Sequence, residues 1–490
     1  MTFSTPLLVT FVAYLLLILY VGVKAYKRTH NLGDYILGGR KLGPVVTALS
    51  VGASDMSGWL LLGLPGAIYL SGISEIWIGI GLVIGAYCNW YFVAKPLRVF
   101  SAHARNSLTL PDYFENRFDD QTRILRVLSA LVILLFFTFY TASGLVGGAI
   151  LFENSFGMEY STALLVGAFI IVGYTFVGGF LAVVWTDAFQ AILMLAAIII
   201  APVAVIIDAG GVSAVAEQMR AVSPGSTSLF SGLTLLGFVS LMAWGLGYVG
   251  QPHILARFMA AESPAKLVPA RRIAMLWMIF VLLGSVATGL TGIAYFADAP
   301  LVNPETVFIA LSQSLFNPWV AGVIAAAILS AIMSTIDSQL LVSSSVISED
   351  FYRVFVRPGA SDAELLAVSR AAVVLIALVA LLIASDRDNR VLDLVSYAWA
   401  GFGAAFGPLV VFSLCWRKMT ALSAVVGMLL GAITVVVWSN LSGGIFDLYE
   451  IVPGFLLSSL AIVGISLLRP EAKLRTLAQF DAAARLTAES

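Results

Sequence analysis

A carboxylate inside an apolar stretch is the first feature of this sequence that could do chemistry. Asp55 lies within residues 49–59, which also hold two glycines and three serines. Glycine weakens a helix and serine competes for backbone groups, so this run predicts an interrupted helix whose free carbonyls could hold an ion. The alternative is that small residues only allow close helix packing. Packing does not explain the carboxylate, which costs about 2.5–3.5 kcal/mol to place in hydrocarbon.

Hydroxyl groups in residues 331–339 are the second feature. Ser334 and Thr335 are adjacent, and Ser338 follows one turn after Ser334, which places several oxygens near one stripe of a helix. Hard monovalent cations prefer such oxygen ligands, whereas hydrogen bonding between helices would explain the same spacing. Both interpretations stay open from the spacing alone. Asp337 in this run is unexpected, and the sequence does not say whether it faces a cavity.

Two aromatic residues beside a glycine-rich run are the third feature. Residues 244–253 contain three glycines and a proline, which predicts a second interrupted helix. Trp244 and Tyr248 stand four residues apart and share a face before this break. They could form a wall suited to a compact apolar ligand with charged ends. The alternative is aromatic packing between helices.

Arg40 and Asp187 are two further charged candidates, each with a plain structural alternative. Arg40 ends a glycine-containing loop before the Asp55 stretch, and it could simply anchor the chain at a membrane surface. Asp187 stands at the start of a later apolar stretch, where a carboxylate could simply complement the helix dipole.

The composition requires a membrane around these residues. Of 490 residues, 60% are hydrophobic and 11% are charged, against about 25% charged in soluble domains, which excludes a soluble enzyme. The 27 Lys and Arg residues balance 28 Asp and Glu residues, so no basic field favours nucleic acid. Two cysteines without CxxC spacing and three scattered histidines suggest neither disulfides nor a metal cluster. A P-loop for ATP-driven transport is also missing from the sequence.

Thirteen apolar stretches could each cross a membrane as a helix, which predicts an all-α polytopic membrane protein. They lie near residues 4–23, 42–62, 67–94, 124–152, 160–181, 188–208, 228–256, 272–298, 317–347, 368–385, 391–416, 419–439 and 445–468. All Lys and Arg residues except Arg220, Arg387 and Arg390 fall in alternate connections on one side or in the tail. The positive-inside rule therefore predicts an N-terminus outside and a C-terminus in the cytoplasm.

The two predicted breaks lie five spans apart. This spacing fits two five-helix repeats, spans 2–6 (about residues 42–208) and spans 7–11 (about residues 228–416), followed by a short cytoplasmic tail at 469–490. An odd number of spans per repeat inverts the second repeat, and inverted repeats with broken helices form the core of many secondary transporters. We expect one transporter domain over residues 1–490, with thirteen transmembrane helices, a leucine-transporter-like core in spans 2–11 and broken helices 2 and 7.

The sequence resembles the sodium/solute symporter family over nearly its whole length. The matching stretches are residues 34–40, 53–59, 108–114, 178–183, 185–187, 244–257, 333–335 and 396–408. The stretches 53–59 and 244–257 are most similar to the branch of the family that transports proline.

This resemblance implies roles for individual residues. Sodium would be bound by Ala53, Met56, Ala331, Ser334 and Thr335. The substrate would be bound by Tyr140, Trp244, Tyr248 and Pro252. Coupling and the ion path would involve Arg40, Asp55, Ser57, Gly58 and Asp187, the last as a waystation for sodium on its way to the cytoplasm. Asp337 departs from the family pattern and could alter ion affinity.

The function that the resemblance implies is sodium-driven import of L-proline by alternating access in the bacterial cytoplasmic membrane. Sodium is then a co-transported ion, no organic cofactor is expected, and membrane lipids surround a protein whose oligomeric state the sequence leaves open. Three alternatives stay open as well. The same architecture could carry another small solute, Asp55 and Asp337 could couple transport to protons, or a transporter-like body could serve as a membrane sensor.

Overall fold

Apolar helices make up most of the chain in the computed structural model, which describes residues 4–26, 32–177, 179–469 and 473–490. Within these ranges the only β pairing is one isolated bridge between Leu42 and Ala261. The all-α prediction is therefore confirmed. Gly178, from one of the matching motifs, and the basic residues Lys27 and Arg28 lie outside the described residues.

The described residues form 21 α-helices. The first seven are α1 (Thr5–Tyr26), α2 (Leu32–Leu37), α3 (Pro44–Asp55), α4 (Leu64–Ser71), α5 (Ile76–Cys88), α6 (Ala94–His103) and α7 (Leu110–Phe118). The next seven are α8 (Ile124–Phe156), α9 (Tyr160–Val177), α10 (Phe180–Asp208), α11 (Val212–Val222), α12 (Leu235–Ala243), α13 (Pro252–Ala260) and α14 (Leu267–Tyr295). The last seven are α15 (Val307–Leu315), α16 (Pro318–Ser345), α17 (Asp362–Ala384), α18 (Val391–Cys415), α19 (Ala421–Trp438), α20 (Ile451–Leu468) and α21 (Leu474–Glu489).

The lengths of these helices suit a multi-span membrane protein. Among the described residues, ten helices are long and apolar enough to cross a bilayer, and one bent pair counts as an eleventh span. Two shorter apolar helices lie at Tyr160–Phe176 and Leu235–Gly250. One predicted boundary is wrong in a way that matters, because α10 begins at Phe180 rather than near residue 188.

The chain bends sharply after α3, where the sequence predicts an interrupted helix. Helix α3 ends at Asp55, and the helical segment Trp59–Ser71 continues at an angle of 61°. Met56 leaves helical geometry with ψ of 76°. A Cβ on Gly58 would lie 3.1 Å from Ile332 of α16, so this position favours a residue without a side chain. The backbone at the bend therefore runs directly against α16.

The run after α12 also departs from α-helix, as its glycines predict. Residues Trp244–Gly250 wind as a 3₁₀ helix, and α13 then starts with Pro252 in its first turn. Proline suits this position because its missing N–H would be unpaired at a helix start in any case. A side chain on Gly247 would overlap the Trp399 ring of α18. Close packing against α18 thus explains the glycine.

Helix α16 occupies the centre of the molecule. Ile328, Ser330, Ser334 and Asp337 are all fully buried, so both polar and apolar sides of this helix contact protein. Its neighbours include α1, α3, α8, α10 and α17. A helix that is buried all round can place polar groups against several partners at once, and this is how the hydroxyl-rich segment reaches the bend after α3.

Helix α21 lies across one end of the bundle, beside α6 and α7. Phe480 packs edge-on against Phe100 at a centroid distance of 5.3 Å, and the Arg117 guanidinium lies 4.9 Å from the Phe480 ring centroid. Arg417 binds the Asp481 carboxylate with two of its nitrogens, at 2.7 and 2.8 Å. The predicted short tail is therefore a docked helix. We call this end of the bundle the basic end, since Arg40, Arg98 and Arg117 also lie there.

Candidate ion and substrate site

The predicted sodium ligands of α3 and α16 lie together. Oγ of Ser334 donates to the carbonyl oxygen of Ala53 at 2.7 Å and lies 3.1 Å from that of Ala331. Oγ1 of Thr335 lies 3.4 Å from the same Ala53 oxygen. Four oxygen ligands from two helices thus converge on one point. The hydroxyl groups of Ser334 and Thr335 are directed at the Ala53 carbonyl. A cation bound at this point would replace their protons as the partner of that carbonyl.

The end of α3 adds a favourable field for a cation. The C-terminus of a helix carries a partial negative charge from its free carbonyls. Met56, the remaining predicted ligand, is the residue at which α3 stops, and it is 1% exposed. The donor set fits sodium, because carbonyl and hydroxyl oxygens suit a hard monovalent cation.

Asp55 connects the bend after α3 with the 3₁₀ segment after α12. The hydroxyl of Tyr248 donates to Oδ2 of Asp55. The backbone oxygen of Asp55 accepts from Nε1 of Trp59 at 3.2 Å and from the hydroxyl of Tyr140 at 3.4 Å. Oδ1 has no partner among the described residues, although it is buried. Such an atom indicates a ligand or water that a working site would supply.

The predicted substrate residues divide into two groups. Tyr140 and Tyr248 meet at Asp55 and are nearly inaccessible to solvent. Trp244 lies at the floor of an open cavity of about 370 Å³ and stacks on Tyr449 at 5.5 Å. Glu75, Asp393, Asp447 and Glu450 also line this cavity. We call it the acidic vestibule.

Pro252 faces a different space from Trp244. It lines a small cavity of about 20 Å³ on the side of the basic end, together with Ala256 and Met259 of its own helix. This cavity holds about one water molecule. Pro252 thus lies between the buried tyrosines and the basic end, and the structure does not bring its side chain together with Trp244 in one cavity.

Asp187 is part of a buried ion pair. Its Oδ2 accepts from Nη2 of Arg257 at 2.8 Å and from Oγ of Ser50 at 2.6 Å. Arg257 also donates to Ser50 and to Ser338, at 2.7 and 2.6 Å. Since α10 begins at Phe180, Asp187 lies two turns inside the helix rather than in its first turn. The alternative that this carboxylate complements a helix start is therefore wrong.

Arg257 links the ion pair to the candidate sodium site. Ser338, which accepts from Arg257, itself donates to the backbone oxygen of Ser334 at 2.7 Å. The Asp187 carboxylate is thus neutralised by the Arg257 guanidinium. The same guanidinium contacts Ser338, which lies one helical turn after Ser334. Sequence reasoning did not single out Arg257, because only tertiary contact distinguishes it from an ordinary cytoplasmic arginine.

Asp337 faces away from Ala53. Thr175 of α9 donates to its Oδ1, whereas Oδ2 is buried without a partner among the described residues. Its side chain therefore belongs to the contact between α9 and α16 and not to the four-oxygen cluster.

Arg40 lies at the basic end and ties three elements together. Its Nη1 donates to the carbonyl of Met259 at 2.6 Å and to Ser101 at 3.2 Å, and Nη2 donates to the carbonyl of Ser107 at 2.7 Å. Burial, with a smaller effect of Arg98, lowers the pKa of Arg40 to about 10, which leaves it charged at physiological pH. Its φ of 56° is unusual for a residue with a side chain. The hydrogen bonds stabilise this strained backbone.

Two further residues that the sequence did not single out support the aromatic wall. Nε1 of Trp399 donates to the backbone oxygen of Trp244 at 2.7 Å, and Asn89 donates to that of Tyr248 at 3.0 Å. Both bonds hold the backbone of the 3₁₀ segment against neighbouring elements. Trp399 lies in a motif that matches the family, but nothing in its spacing points to Trp244.

Comparison with known proteins identifies the family of this chain. The sequence profile of the sodium:solute symporter family matches residues 35–431. A sodium/proline symporter of Salmonella typhimurium is 58% identical over 474 residues, which cover 96% of this chain and 94% of the relative. The chain belongs to the sodium:solute symporter family. It is therefore a secondary transporter rather than an enzyme, and sodium is the ion that characterises its family.

Other similar symporters carry related names. The sodium/proline symporter of Escherichia coli is 57% identical over 96% of this chain and 94% of its own length. The high-affinity proline transporter PutP of Bacillus subtilis is 52% identical over 92% of this chain and 95% of its own length.

Solved structures show the same fold at low identity. A Na+-coupled sialic acid symporter in a substrate-bound outward-open state superposes with a TM-score of 0.82 at 20% identity, covering 96% of this chain and all of that one. A nucleobase-cation-symport-1 family transporter in a closed conformation gives 0.54 at 15% identity, covering 92% of this chain and all of that one. These likenesses establish the architecture and leave the substrate to other arguments.

Proposed function

We propose that this chain imports L-proline together with sodium across the bacterial cytoplasmic membrane. The relatives that match nearly its whole length at 52–58% identity are named for sodium and proline or for proline. The observation within the structure that carries the proposal is the convergence of the Ser334 and Thr335 hydroxyls on the Ala53 carbonyl. Such a site explains how an ion gradient could supply the energy.

The proposed topology has thirteen spans with the basic end in the cytoplasm. The ten long helices, the bent pair and the two shorter apolar helices support this count. Spans 2–6 and 7–11 would be inverted repeats, with helix 2 broken after Asp55 and helix 7 broken at Trp244–Gly250. The N-terminus would then lie outside, and α21 would lie against the cytoplasmic face. Residues 1–490 would form one transporter domain in contact with membrane lipids.

The proposed sodium ligands are the carbonyls of Ala53, Met56 and Ala331 with the hydroxyls of Ser334 and Thr335. Sodium there would hold the bend after α3 against α16. Because Asp55 lies between the proposed ligands Ala53 and Met56 and accepts a hydrogen bond from Tyr248, sodium would also order the substrate pocket. This is a coupling free energy between two sites. Movement of one charge inward supplies about 2.3 kcal/mol per 100 mV of membrane potential.

The proposed substrate pocket centres on Tyr140 and Tyr248, with Trp244 and Pro252 on opposite sides, each lining a cavity of its own in the present state. Their aromatic rings and the proline ring suit the compact apolar ring of the substrate, and the polar atoms beside Asp55 suit its charged ends. Ser57 and Gly58 would allow the bend, Arg40 would act in coupling from the cytoplasmic side, and Asp187 would receive sodium on its way out. The Asp187 carboxylate is already paired with the Arg257 guanidinium. Transfer of sodium to Asp187 therefore requires this ion pair to rearrange.

Uptake into proteoliposomes tests this function. Purified protein is reconstituted, and labelled proline is supplied with an inward sodium gradient, with an inward proton gradient, or with neither. We expect accumulation above equilibrium only with sodium. Accumulation driven by protons alone would contradict the proposed coupling ion. Competition by a panel of other amino acids, pantothenate and sugars tests the substrate, and inhibition of uptake by one of these but not by unlabelled proline would contradict its assignment.

A further inference from the structure

The connection between α6 and α7 is unusual because its last residues, which lead into the first turn of α7, are largely buried without regular structure. Ser107 is fully buried, and Thr109 and Leu110 are 7% and 4% exposed. We call residues 107–111 the inner strap. Irregular segments normally run over the surface, since their backbone groups need hydrogen-bond partners. Hydrogen bonds from several other elements, which we call polar ties, satisfy the polar groups of the inner strap instead.

Arg40 holds the start of the inner strap. One of its nitrogens bonds the Ser107 carbonyl, and the other bonds the carbonyl of Met259 in α13. One side chain therefore joins the segment before α3, the inner strap and the end of α13. The N–H of Ser107 also donates to the Ser101 carbonyl of α6 at 2.9 Å.

A second set of ties reaches the inner strap from the opposite side. Oγ1 of Thr109 donates to Oδ1 of Asp350 at 3.0 Å, on the π-helical continuation of α16. Asp350 is fully buried and lies 3.5 Å from Nη1 of Arg126. Arg126 also pairs with Asp112 and Glu115 of α7. The inner strap thus joins the segment before α3 and the end of α13 to the continuation of α16, and through Asp350 to α8.

The small cavity at Pro252 lies directly behind the inner strap. Pro252, Ala256 and Met259 line one side of it, and strap residues Leu108, Thr109, Leu110 and Pro111 line another. The remaining walls come mainly from α16 and its continuation, with one residue each from α2 and α8, and all of them except Ser345 are apolar. The cavity therefore extends from Pro252, a proposed substrate residue, to the inner strap. The inner strap separates the cavity from the basic end.

We propose that this cavity is the closed form of the exit chamber for the transported solute, which must widen from its present volume of about 20 Å³ to hold that solute, and that the inner strap is the gate that closes it. The inference rests on the proposed function, since it assumes a compact amino acid that leaves past Pro252. Apolar walls suit the ring of such a substrate. The polar ties suit a gate, because water replaces a hydrogen bond at little net cost when the segment moves away. Opening requires Arg40 and Thr109 to release their partners.

Cysteine accessibility tests the gate directly. Both native cysteines, Cys88 and Cys415, are replaced, and Ala256→Cys places a reporter thiol in the chamber. A membrane-impermeant maleimide is added to the basic end in membrane vesicles of known orientation, without sodium or substrate. We expect Arg40→Gln and Thr109→Val each to raise the alkylation rate at least about fivefold, because each removes one of the two ties.

Arg353→Gln is the matched control. This arginine lies on the same helical continuation as Asp350, but it pairs with Glu349 one turn away, and its side chain is 40% exposed. Its alkylation rate should equal that of the reporter protein. Insertion of every variant is measured by the amount of protein in the membrane and by alkylation after unfolding. Alkylation rates in Arg40→Gln and Thr109→Val that stay within twofold of the control would overturn the proposal.

The same vesicles separate this proposal from the proposed function. Adding sodium and proline should change the alkylation rate of the reporter thiol if proline is the substrate. If strap variants raise the rate but proline has no effect, the gate stands and the substrate assignment fails. If proline is accumulated with sodium but the strap variants leave the rate unchanged, the function stands and the gate lies elsewhere.

Discussion

The hydroxyl of Tyr248 donates a hydrogen bond to Oδ2 of Asp55, and this contact joins the two interruptions of the helical bundle. Asp55 ends α3, while Tyr248 lies in the 3₁₀ segment that precedes α13. A displacement of the backbone at one interruption therefore alters the hydrogen bonding at the other. This contact gives the coupling between ion and substrate a physical route, since the candidate sodium ligand Ala53 is two residues before Asp55.

We predict that Asp55→Asn nearly abolishes sodium-driven proline uptake while the protein still inserts in the membrane. The amide keeps the size of the side chain but loses the charge. That charge makes burial costly, so only a function that depends on the charge explains its presence here. Tyr248→Phe loses only the hydrogen bond and should weaken coupling less. Initial uptake rates at varied sodium measure both. Normal uptake with unchanged sodium dependence in Asp55→Asn would refute the assignment.

We predict that Ser334→Ala raises the sodium concentration for half-maximal uptake by roughly 10- to 100-fold, as expected for loss of an oxygen that contacts a charged group. Ser334→Thr keeps the oxygen and should be milder, and so should Thr335→Ser compared with Thr335→Ala. Proline affinity should partly recover at very high sodium.

Ser330→Ala is the matched control for this series. Ser330 lies one turn earlier on α16, is fully buried and bonds the Ala326 carbonyl of its own helix. Its replacement should leave the sodium requirement unchanged. Equal shifts in the alanine and hydroxyl-keeping variants would mean that these residues act through packing.

We predict that Trp244→Ala weakens proline binding by about 1–3 kcal/mol and sodium binding much less, because it removes an aromatic ring from the wall of the acidic vestibule. Binding of labelled proline at saturating sodium measures the effect. Trp319→Ala is the control, since this tryptophan is 53% exposed at the start of α16. An unchanged proline affinity in Trp244→Ala would show that the ring only packs against its neighbours.

We predict that Arg257→Gln destabilises the protein by about 3–5 kcal/mol, because it leaves the Asp187 carboxylate buried without its counter-charge. The double variant Arg257→Gln with Asp187→Asn removes both charges and should recover much of this loss. Thermal unfolding in detergent measures both proteins. A double variant as unstable as the single one would indicate that Arg257 stabilises the fold through its other contacts, with Ser50 and Ser338.

Local features of the sequence predicted an all-helical membrane protein, the bend after Asp55 and the departure from α-helix at Trp244–Gly250. Hydropathy and helix propensity depend on neighbours along the chain, so they could be interpreted without the fold. The hydroxyl pattern of Ser334 and Thr335 was ambiguous for the same reason. A cation site and a contact between helices have the same local spacing, and only the position of Ala53 across from them brings the four oxygens together.

Tertiary structure alone decided which charges meet. Asp187 and Arg257 are 70 positions apart, and Arg40 reaches carbonyls 67 and 219 positions away. No periodicity within a helix encodes such pairs, because they depend on how α3, α10, α13 and α16 cross. The start of α10 was likewise misplaced, since polar Thr186 and Asp187 lowered the apparent hydrophobicity of a turn that is buried against Ser50 and Arg257. In the sequence these polar residues are isolated within apolar stretches. In the fold, hydrogen bonds and ion pairs between distant positions connect Ser50, Asp187, Arg257 and Ser338 into one network.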